Sequence, residues 1–221
     1  MKIKLEHVLP EEIEKRSFEI IGEELGDIRF EPLQEPVIKR VIHTTADFEY
    51  AQNLCFSENA VIKLQEAIRG GACIVTDTQM AKSGINKKEL FKYGGEVFCF
   101  MSDEDVAQEA KKNRSTRASA CMDKAAALGK DLIFAIGNAP TALVRLYELI
   151  EEGILLPKGI IGVPVGFVNV VEAKELIMQA DTPYIVARGR KGGSNVAAAI
   201  CNALLYGMRE QGKPQRGESG K

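Results

Sequence analysis

The chain is poor in the residues that build metal sites, and it lacks a long apolar segment. Its 221 residues include no tryptophan and two histidines, and its five cysteines stand singly, without a CxxC pair. Single cysteines inside apolar runs indicate buried, reduced thiols and argue against structural zinc. No stretch approaches the roughly 20 apolar residues that cross a bilayer, and charges interrupt the N-terminal residues where a signal peptide would be apolar. We therefore expect a cytoplasmic protein.

The charge also lacks an excess of either sign. The chain has 29 basic and 31 acidic residues, a formal net charge of −2. Proteins that bind nucleic acid through their whole surface have a marked basic excess, so the balance excludes that class but leaves room for a local basic pocket. Hydrophobic residues make up 45% of the chain and charged residues 27%, which is ordinary for a globular protein that needs no disulfides.

Short apolar runs alternate with helical patterns from residue 72 onward. Each run is almost continuously apolar, as are strands covered on both faces; the runs span residues 72–75, 96–101, 131–136, 159–165 and 183–187. The alternation predicts an α/β fold, a doubly wound and mainly parallel sheet of five to six strands with helices on both faces. We expect a single domain over residues 1–207 and a polar C-terminal tail over residues 208–221 that frays.

The part of the chain before these runs predicts an N-terminal helical segment. One helix spans residues 10–22, a second residues 36–45, and a third residues 57–70, with Ser57 as a good N-cap. Ser17 falls within the apolar stripe of the first helix, where its hydroxyl needs a partner. We expect it to bond to a carbonyl one turn earlier in the same helix.

Residues 105–128 allow two interpretations. If they form one helix, Arg114 and Arg117 share a face with small residues, and burying both would require carboxylates or a ligand. If Asn113 interrupts the helix and a new one begins near Ser115, both arginines lie at a solvated terminus. The spacing alone does not choose between the two.

Small and polar residues follow the predicted strands. Ligands of open parallel sheets bind beyond the carboxyl ends of the strands, although every strand end also needs turn residues. The segments in these places are Thr76-Asp77-Thr78-Gln79-Met80, Met101-Ser102-Asp103, Gly137-Asn138-Ala139-Pro140-Thr141, Gly166-Phe167-Val168-Asn169 and Arg188-Gly189-Arg190-Lys191-Gly192-Gly193-Ser194.

The last of these segments, residues 188–194, predicts an anion site. It has three cations among three glycines immediately before a helix, where backbone amides and the helix dipole favour negative charge. The segment has neither the GxxxxGK[ST] spacing of a P-loop nor GxGxxG, which disfavours a nucleotide. A polyanion of another kind remains open.

His43 is the candidate general acid. It lies four residues before Asp47, and helical spacing puts Arg40 on the same face. An imidazole can gain or lose a proton near neutral pH, which suits acid catalysis. No nucleophile motif accompanies it, and a purely structural histidine is the competing interpretation. The residues alone therefore predict an α/β protein that binds an anionic ligand, with His43 as a candidate acid.

Seven segments of the chain, in order from about residue 10 to residue 207, resemble the precorrin-8X methylmutase (precorrin isomerase) family, whose members migrate a methyl group in corrin biosynthesis. They are EKRSFEII (14–21), KRVIHTTADFEYA (39–51), IVTDTQMA (74–81), TRASA (116–120), AIGNAPTALVRLYELI (135–150), GVPVGFVNVVEAKE (162–175) and ARGRKGGSNVAAAICNALL (187–205). Any one of them would be modest evidence, whereas seven in order make the resemblance specific.

The resemblance implies an isomerase and its site residues. The implied reaction is a suprafacial 1,5-shift of a methyl group from carbon eleven to carbon twelve of precorrin-8X or cobalt-precorrin-8, giving hydrogenobyrinate or cobyrinate. The resemblance also implies a homodimer with active sites at the subunit interface, and His43 as the acid. The implied substrate contacts are Ser17, Arg40, Thr76, Asp77, Thr78, Met80, Arg117, Gly137, Asn138, Gly189, Arg190, Lys191, Gly192, Gly193 and Ser194.

This chemistry agrees with the residues. The substrate is a flat apolar macrocycle fringed by carboxylates, which calls for small and apolar residues under its face and cations such as Arg188 around its rim. A concerted methyl shift needs no nucleophile, and protonation of a ring nitrogen makes the π-system electron-poor. We therefore expect no cofactor, with any cobalt carried by the substrate. General likeness slightly favours the cobalt-containing substrate over the metal-free one.

Two other functions stay open. The same pocket could hold a corrinoid and pass it on without chemistry, as a carrier does. A flavodoxin-like protein could instead bind a nucleotide or phosphate through residues 189–194.

Overall fold

A computed structural model describes residues 6–211, with side chains described as far as residue 209. None of the helices in this range is both long and apolar enough to cross a bilayer. After a 3-10 turn at Pro10–Glu12, the elements in chain order are α1 (Ile13–Leu25), α2 (Glu35–Thr45), α3 (Tyr50–Asn53), β1 (Leu54–Phe56), α4 (Ala60–Arg69), β2 (Cys73–Thr76), α5 (Gln79–Gly84), α6 (Lys87–Phe91), β3 (Val97–Phe98), α7 (Glu104–Lys112), α8 (Arg117–Ala126), β4 (Leu132–Ile136), α9 (Pro140–Glu151), β5 (Gly159–Gly162), α10 (Val170–Ile177), β6 (Tyr184–Ala187) and α11 (Ser194–Gln211).

The six strands form one sheet in the order β1-β6-β5-β4-β2-β3. Strands β2 to β6 pair in parallel, whereas β1 runs antiparallel to β6, with Leu54 opposite Ala187 and Phe56 opposite Ile185. The prediction of a doubly wound, mainly parallel sheet is confirmed. The sequence does not predict β1, because a three-residue edge strand gives too short a pattern.

Helices cover both faces of the sheet, so the strands are buried on two sides. On β4, Ile133 and Ala135 face the core cluster built with α1, α2, α4 and α11. The alternate residues Leu132, Phe134 and Ile136 face a second cluster built with α7, α8, α9 and α10. A strand with two covered faces has no polar side to show, which explains the continuous apolar runs.

The order of the strands reverses between β2 and β4. The chain leaves β2 for β3 at the edge of the sheet and then returns to place β4 on the other side of β2. At such a switch point the two connections leave in opposite directions, and a crevice opens beyond the carboxyl ends of the strands. The fold therefore points to the residues that follow β2 and β4.

Helix α2 confirms the helix predicted over residues 36–45, and it begins one residue earlier, at Glu35. Val37, Ile38, Val41 and Ile42 are all buried in the cluster that α2 shares with α11. This packing fixes one side of α2 against the core and leaves His43 on its exposed side, near the C-terminal end of the helix.

Two helices extend past a predicted end, which is Gly22 for the first helix and Gly207 for the folded domain. Helix α1 continues beyond Gly22 to Leu25, and α11 continues beyond Gly207 to Gln211. A glycine inside a helix costs about 1 kcal/mol relative to alanine, and burial of Leu25 and Met208 offsets that cost. Residues 208–211 of the predicted polar tail therefore belong to α11. The domain boundary itself stays a prediction, and residues 212–221 lie outside the described part of the chain.

The third predicted helix begins later than residue 57. Helix α4 starts at Ala60, and Asn59, in the left-handed backbone region, occupies its N-cap position. Ser57 serves the sheet instead, because its hydroxyl accepts a hydrogen bond from the backbone N–H of Tyr184, at 2.9 Å. The pattern predicts the helix correctly but misassigns its cap, since the partner of Ser57 is distant in sequence.

The interrupted interpretation of residues 105–128 is confirmed. Asn113 ends α7, and Arg114 has a positive φ of 51°. Thr116 then caps α8, where its hydroxyl accepts a hydrogen bond from the N–H of Ser119, at 3.1 Å. Arg114 and Arg117 are both exposed, so neither arginine is buried on an apolar face.

An ion pair holds the end of α11. Removing it tests whether the extension of the helix past Gly207 stabilises the fold. Arg209 bonds to Glu89, whose side chain is 2% exposed and which also accepts from Lys92. A chain ending at Gly207 loses this pair and the buried Met208. We expect it to lose about 2–4 kcal/mol of unfolding free energy in urea denaturation. A chain ending at Gln211 retains both contacts and serves as the control; equal stability of the two chains would contradict the prediction.

Candidate functional site

A buried carboxylate organises the switch point between β2 and β4. Asp77, directly after β2, accepts hydrogen bonds from the backbone N–H groups of Gly137, Asn138 and Ala139, at 2.8, 2.8 and 2.6 Å. These amides precede α9, where a helix presents unpaired donors and positive partial charge. Burial raises the pKa of Asp77 above its usual value, and the three backbone bonds act against that rise.

The start of α11 packs against the same turn. The hydroxyls of Thr78 and Ser194 lie 2.7 Å apart, and Thr78 also caps α5 by accepting from the N–H of Ala81. A Cβ on Gly137 would lie 2.7 Å from the Cα of Ser194, so the close approach requires glycine at this position. The ends of β2 and β4 and the start of α11 therefore form one rigid surface.

Thr76 and Asp77 support this surface, whereas their neighbours line it. Thr76 is fully buried, and its hydroxyl donates to the carbonyls of Thr78 and Phe98, at 3.0 and 3.2 Å. In contrast, Met80 is 70% exposed and Asn138 is also exposed. The substrate contacts predicted for Thr76 and Asp77 stay predictions; what the two side chains contact in this structure is the protein's own backbone.

The glycine-rich loop, residues 189–194, is fixed on the adjacent β5 strand end. The N–H of Gly193 donates to the carbonyl of Val163, at 2.9 Å, and the N–H of Gly166 donates to the carbonyl of Arg190, at 3.1 Å. A Cβ on Gly192 would lie 2.1 Å from the Val163 oxygen. The glycines thus allow a backbone approach that side chains would block.

Lys191 connects this loop to the segment that follows His43. Its ammonium lies 2.6 Å from Asp47 and 2.9 Å from Glu49. The hydrogen bond from Lys191 lowers the pKa of Asp47, and the two carboxylates raise the pKa of Lys191. The other loop cation, Arg190, lies over the ring of Phe167 at 5.4 Å and is exposed.

His43 and Ser17 line a common cavity between α1 and α2. This open depression of about 320 Å³ has an otherwise mostly apolar wall that includes Ile20 and Phe48. The ring of Phe18 stacks on the imidazole of His43 with centroids 5.3 Å apart. The hydroxyl of Ser17 donates to the carbonyl of Ile13, at 2.8 Å, which confirms the bond predicted from the sequence.

Arg40 lies one turn before His43 on the same helix. Its guanidinium is 4.8 Å from the centre of the Phe18 ring and pairs with Glu14. The ring of Phe18 therefore contacts both Arg40 and His43. This agrees with the prediction that the two residues share one face of α2. Arg40 faces a second depression of about 280 Å³, lined also by Lys39 and Tyr206.

The predicted residues thus fall into two groups. Ser17, Arg40 and His43 form a helical group on α1 and α2. The other predicted contacts form a sheet-end group. Arg117, at the start of α8, belongs to this group because the hydroxyl of its neighbour Thr116 lies 2.9 Å from that of Thr141, in the first turn of α9. The Lys191–Asp47 pair connects the two groups. Among the side chains described, residues 6–209, no three of His, Cys, Asp or Glu are grouped so as to hold a metal ion.

Comparisons with known proteins agree with this arrangement. The family model for precorrin-8X methylmutase matches residues 12–207. The chain belongs to the precorrin-8X methylmutase family. The family's isomerases act in cobalamin biosynthesis, and the resemblance seen in the sequence is confirmed.

Similar proteins match this chain over most of its length. A cobalt-precorrin-8 methylmutase from Salmonella typhimurium is 49% identical over 207 residues, which cover 91% of this chain and 97% of the relative. One from Priestia megaterium is 47% identical over 197 residues, covering 89% and 88%. The crystal structure of the precorrin-8X methylmutase from Thermus thermophilus superposes with a TM-score of 0.84 at 40% identity, covering 91% of this chain and all of that one.

The sequence shows Asp47 close to His43 but does not reveal its partner Lys191, and it assigns no role to Phe18 or Lys174. Phe18 contacts His43, and Asp47 contacts Lys191. In both cases the partner lies on another segment of the chain, so no local pattern indicates the contact. Lys174 leaves a signal: Val170, Ala173 and Ile177 make a buried stripe on α10, and Lys174 falls within it. A lysine in that position predicts a buried polar contact.

The contacts of Asp77 predict a large effect of a small substitution. Asp77→Asn keeps the shape of the side chain but replaces one acceptor oxygen by an NH2 group that faces backbone donors. We expect a loss of about 2–4 kcal/mol of unfolding free energy, the cost of unsatisfied buried groups, measured by urea denaturation. Asp131→Asn, at an exposed ion pair with Lys158, is the control and should change stability by less than about 1 kcal/mol.

Proposed function

We propose that this chain moves a methyl group from carbon eleven to carbon twelve of cobalt-precorrin-8, with His43 as the acid. The observation that carries the proposal is the position of His43 on the wall of an open, mostly apolar cavity shared with Ser17. The name of the relatives at 47% and 49% identity, cobalt-precorrin-8 methylmutase, supports the cobalt-containing substrate. Precorrin-8X is the metal-free alternative.

One imidazole is sufficient for this reaction. Protonation of a ring nitrogen of the substrate withdraws electrons from the π-system, and the methyl group then migrates within the same molecule, so neither a nucleophile nor a leaving group is needed. The Phe18 ring, stacked on His43, holds the imidazole plane in one orientation. The hydroxyl of Ser17 donates a hydrogen bond to a carbonyl of its own helix, so we assign the acid role to His43. We propose that the enzyme uses no cofactor and that the cobalt ion arrives with the substrate.

The rim of the macrocycle carries carboxylates, and exposed cations are available for them. Arg190 and Arg117 are both exposed at the sheet end, and each guanidinium can bind a carboxylate through two hydrogen bonds. Lys191 already has two carboxylate partners. A substrate carboxylate at Lys191 would therefore exchange with Asp47 or Glu49 rather than bind a free ammonium.

A second copy of the chain completes the site in this proposal. The cavity at His43, about 320 Å³, is at the lower end of the range for drug-sized ligands, about 300–1,000 Å³, and a tetrapyrrole is larger than these. Beside the glycine-rich loop, Phe167 and Val168 are 81% and 77% exposed, and adjacent exposed apolar residues are typical of an interface. Both facts support a homodimer with interface active sites. The cytoplasmic location of the protein stays a prediction.

Replacing the acid should separate catalysis from binding. His43→Phe keeps a ring to stack on Phe18 but has no proton to give. We expect kcat to fall by about 10²–10⁴, the usual contribution of a general acid, while the Kd for the corrinoid product changes less than about threefold. The measurement is the spectral conversion of cobalt-precorrin-8, with product binding measured by absorbance titration.

His7→Phe is the matched control, because His7 is exposed and lies outside the cavity. It should retain the activity of the unchanged protein. Undiminished turnover by His43→Phe would eliminate His43 as the acid.

The substrate itself is tested by incubating the protein with cobalt-precorrin-8 and precorrin-8X in parallel. We expect conversion of both, because they share ring shape and carboxylates, with the larger kcat/KM for the cobalt form. Pigment retained in stoichiometric amount without spectral conversion would instead indicate a carrier. Saturable nucleotide binding that is lost in Arg190→Ala would indicate the flavodoxin-like alternative.

A further inference from the structure

Lys174 is a fully buried lysine that contacts the glycine-rich loop. It lies on α10 within the stripe of Val170, Ala173 and Ile177, and its side chain is 0% exposed. Its ammonium donates to the carbonyl oxygens of Gly189 and Lys191, each at 2.8 Å. Lysine is almost never fully buried unless its charge has a partner, and here the partners are the carbonyls of the two residues that flank Arg190.

These two hydrogen bonds set the direction of the loop's peptide groups. In a trans peptide the carbonyl and the following N–H point to opposite sides, and the described chain has no cis peptide. Because Lys174 draws the carbonyls of Gly189 and Lys191 inward, the N–H groups of Arg190 and Gly192 point away from it. The loop thereby turns two acceptors toward Lys174 and two donors away from it, which is the polarity that an anion requires.

The charge of Lys174 acts in the same direction. Burial lowers its pKa to about 8, so the ammonium form still predominates at neutral pH. A cation beneath the loop lies in a medium of lower dielectric constant than water and is screened less by salt than the exposed Arg190. It therefore adds a positive potential at the loop that does not depend on a mobile surface side chain.

We propose that Lys174 is a positioning residue that holds residues 189–194 in the form that receives a substrate carboxylate. The proposal rests on the proposed function in one respect, that the loop binds the rim of the macrocycle. Lys174 does not touch the substrate itself. It acts through the two carbonyls that its ammonium holds.

The test replaces Lys174 by methionine, which has a similar length and no donor. Lys174→Met should raise KM for cobalt-precorrin-8 at least about tenfold, with kcat within about threefold, because binding is weakened and the acid is unchanged. Hydrogen exchange at the amides of Gly193 and Gly166, which donate to the carbonyls of Val163 and Arg190, should become at least about tenfold faster. Lys174→Gln retains an amide donor and should give intermediate values, and it replaces the methionine variant if that one does not fold.

Lys63→Met, at an exposed lysine on α4, is the control for loss of a lysine and should match the unchanged protein. A lower melting temperature with unchanged KM and unchanged exchange in the loop would assign Lys174 a merely structural role and overturn the proposal. The exchange measurement needs no substrate. If the unchanged protein converts neither precorrin, the proposed function fails, while the exchange result still decides whether Lys174 orders the loop.

Discussion

The site depends on one buried carboxylate. Asp77 joins the end of β2 to the first amides before α9, across the point where the strand order reverses. Two parallel strands alone would leave their following turns free to move independently. With three charge-assisted hydrogen bonds the turns become one surface, and the start of α11 packs on it through Gly137 and Ser194. The start of α11, at the end of the glycine-rich loop, is thereby positioned relative to this surface.

The glycine-rich loop is held by a cation that binds its backbone and by two carboxylates that bind one of its side chains. From below, the ammonium of Lys174 fixes two of its carbonyls. From the side, Asp47 and Glu49 bind Lys191 and tie the loop to the segment that follows His43. The loop is therefore ordered before any anion arrives, and preorganisation of this kind reduces the entropic cost of binding. The ion pair between Lys191 and Asp47 also connects the helical group to the sheet-end group within one chain.

Much of this arrangement can be predicted from the sequence, because it follows from local periodicity. The apolar runs predict five of the six strands, and helical spacing predicts α2 with Arg40 and His43 on one face. The bond from Ser17 to Ile13 is also local, one turn of helix long. Predictions fail where a distant partner intervenes: Ser57 bonds to Tyr184 of β6 instead of capping a helix, and α11 passes Gly207 because Met208 and Arg209 find contacts elsewhere.

The sequence by itself determined the α/β class, the family and the identity of His43 as the candidate acid, since these rest on short patterns and on motifs read in order. Only the tertiary structure decided which polar side chains bond to the protein's own backbone and which are exposed. Asp77 and Thr76 follow a predicted strand, where ligand contacts are expected, and are buried against backbone. Lys174 falls within an apolar stripe, which indicates burial but does not reveal its partners, two carbonyls of the glycine-rich loop. The physical reason is that a buried polar group takes its partners from segments far along the chain, here 60 residues from Asp77 to Gly137, and no local pattern records such a distance.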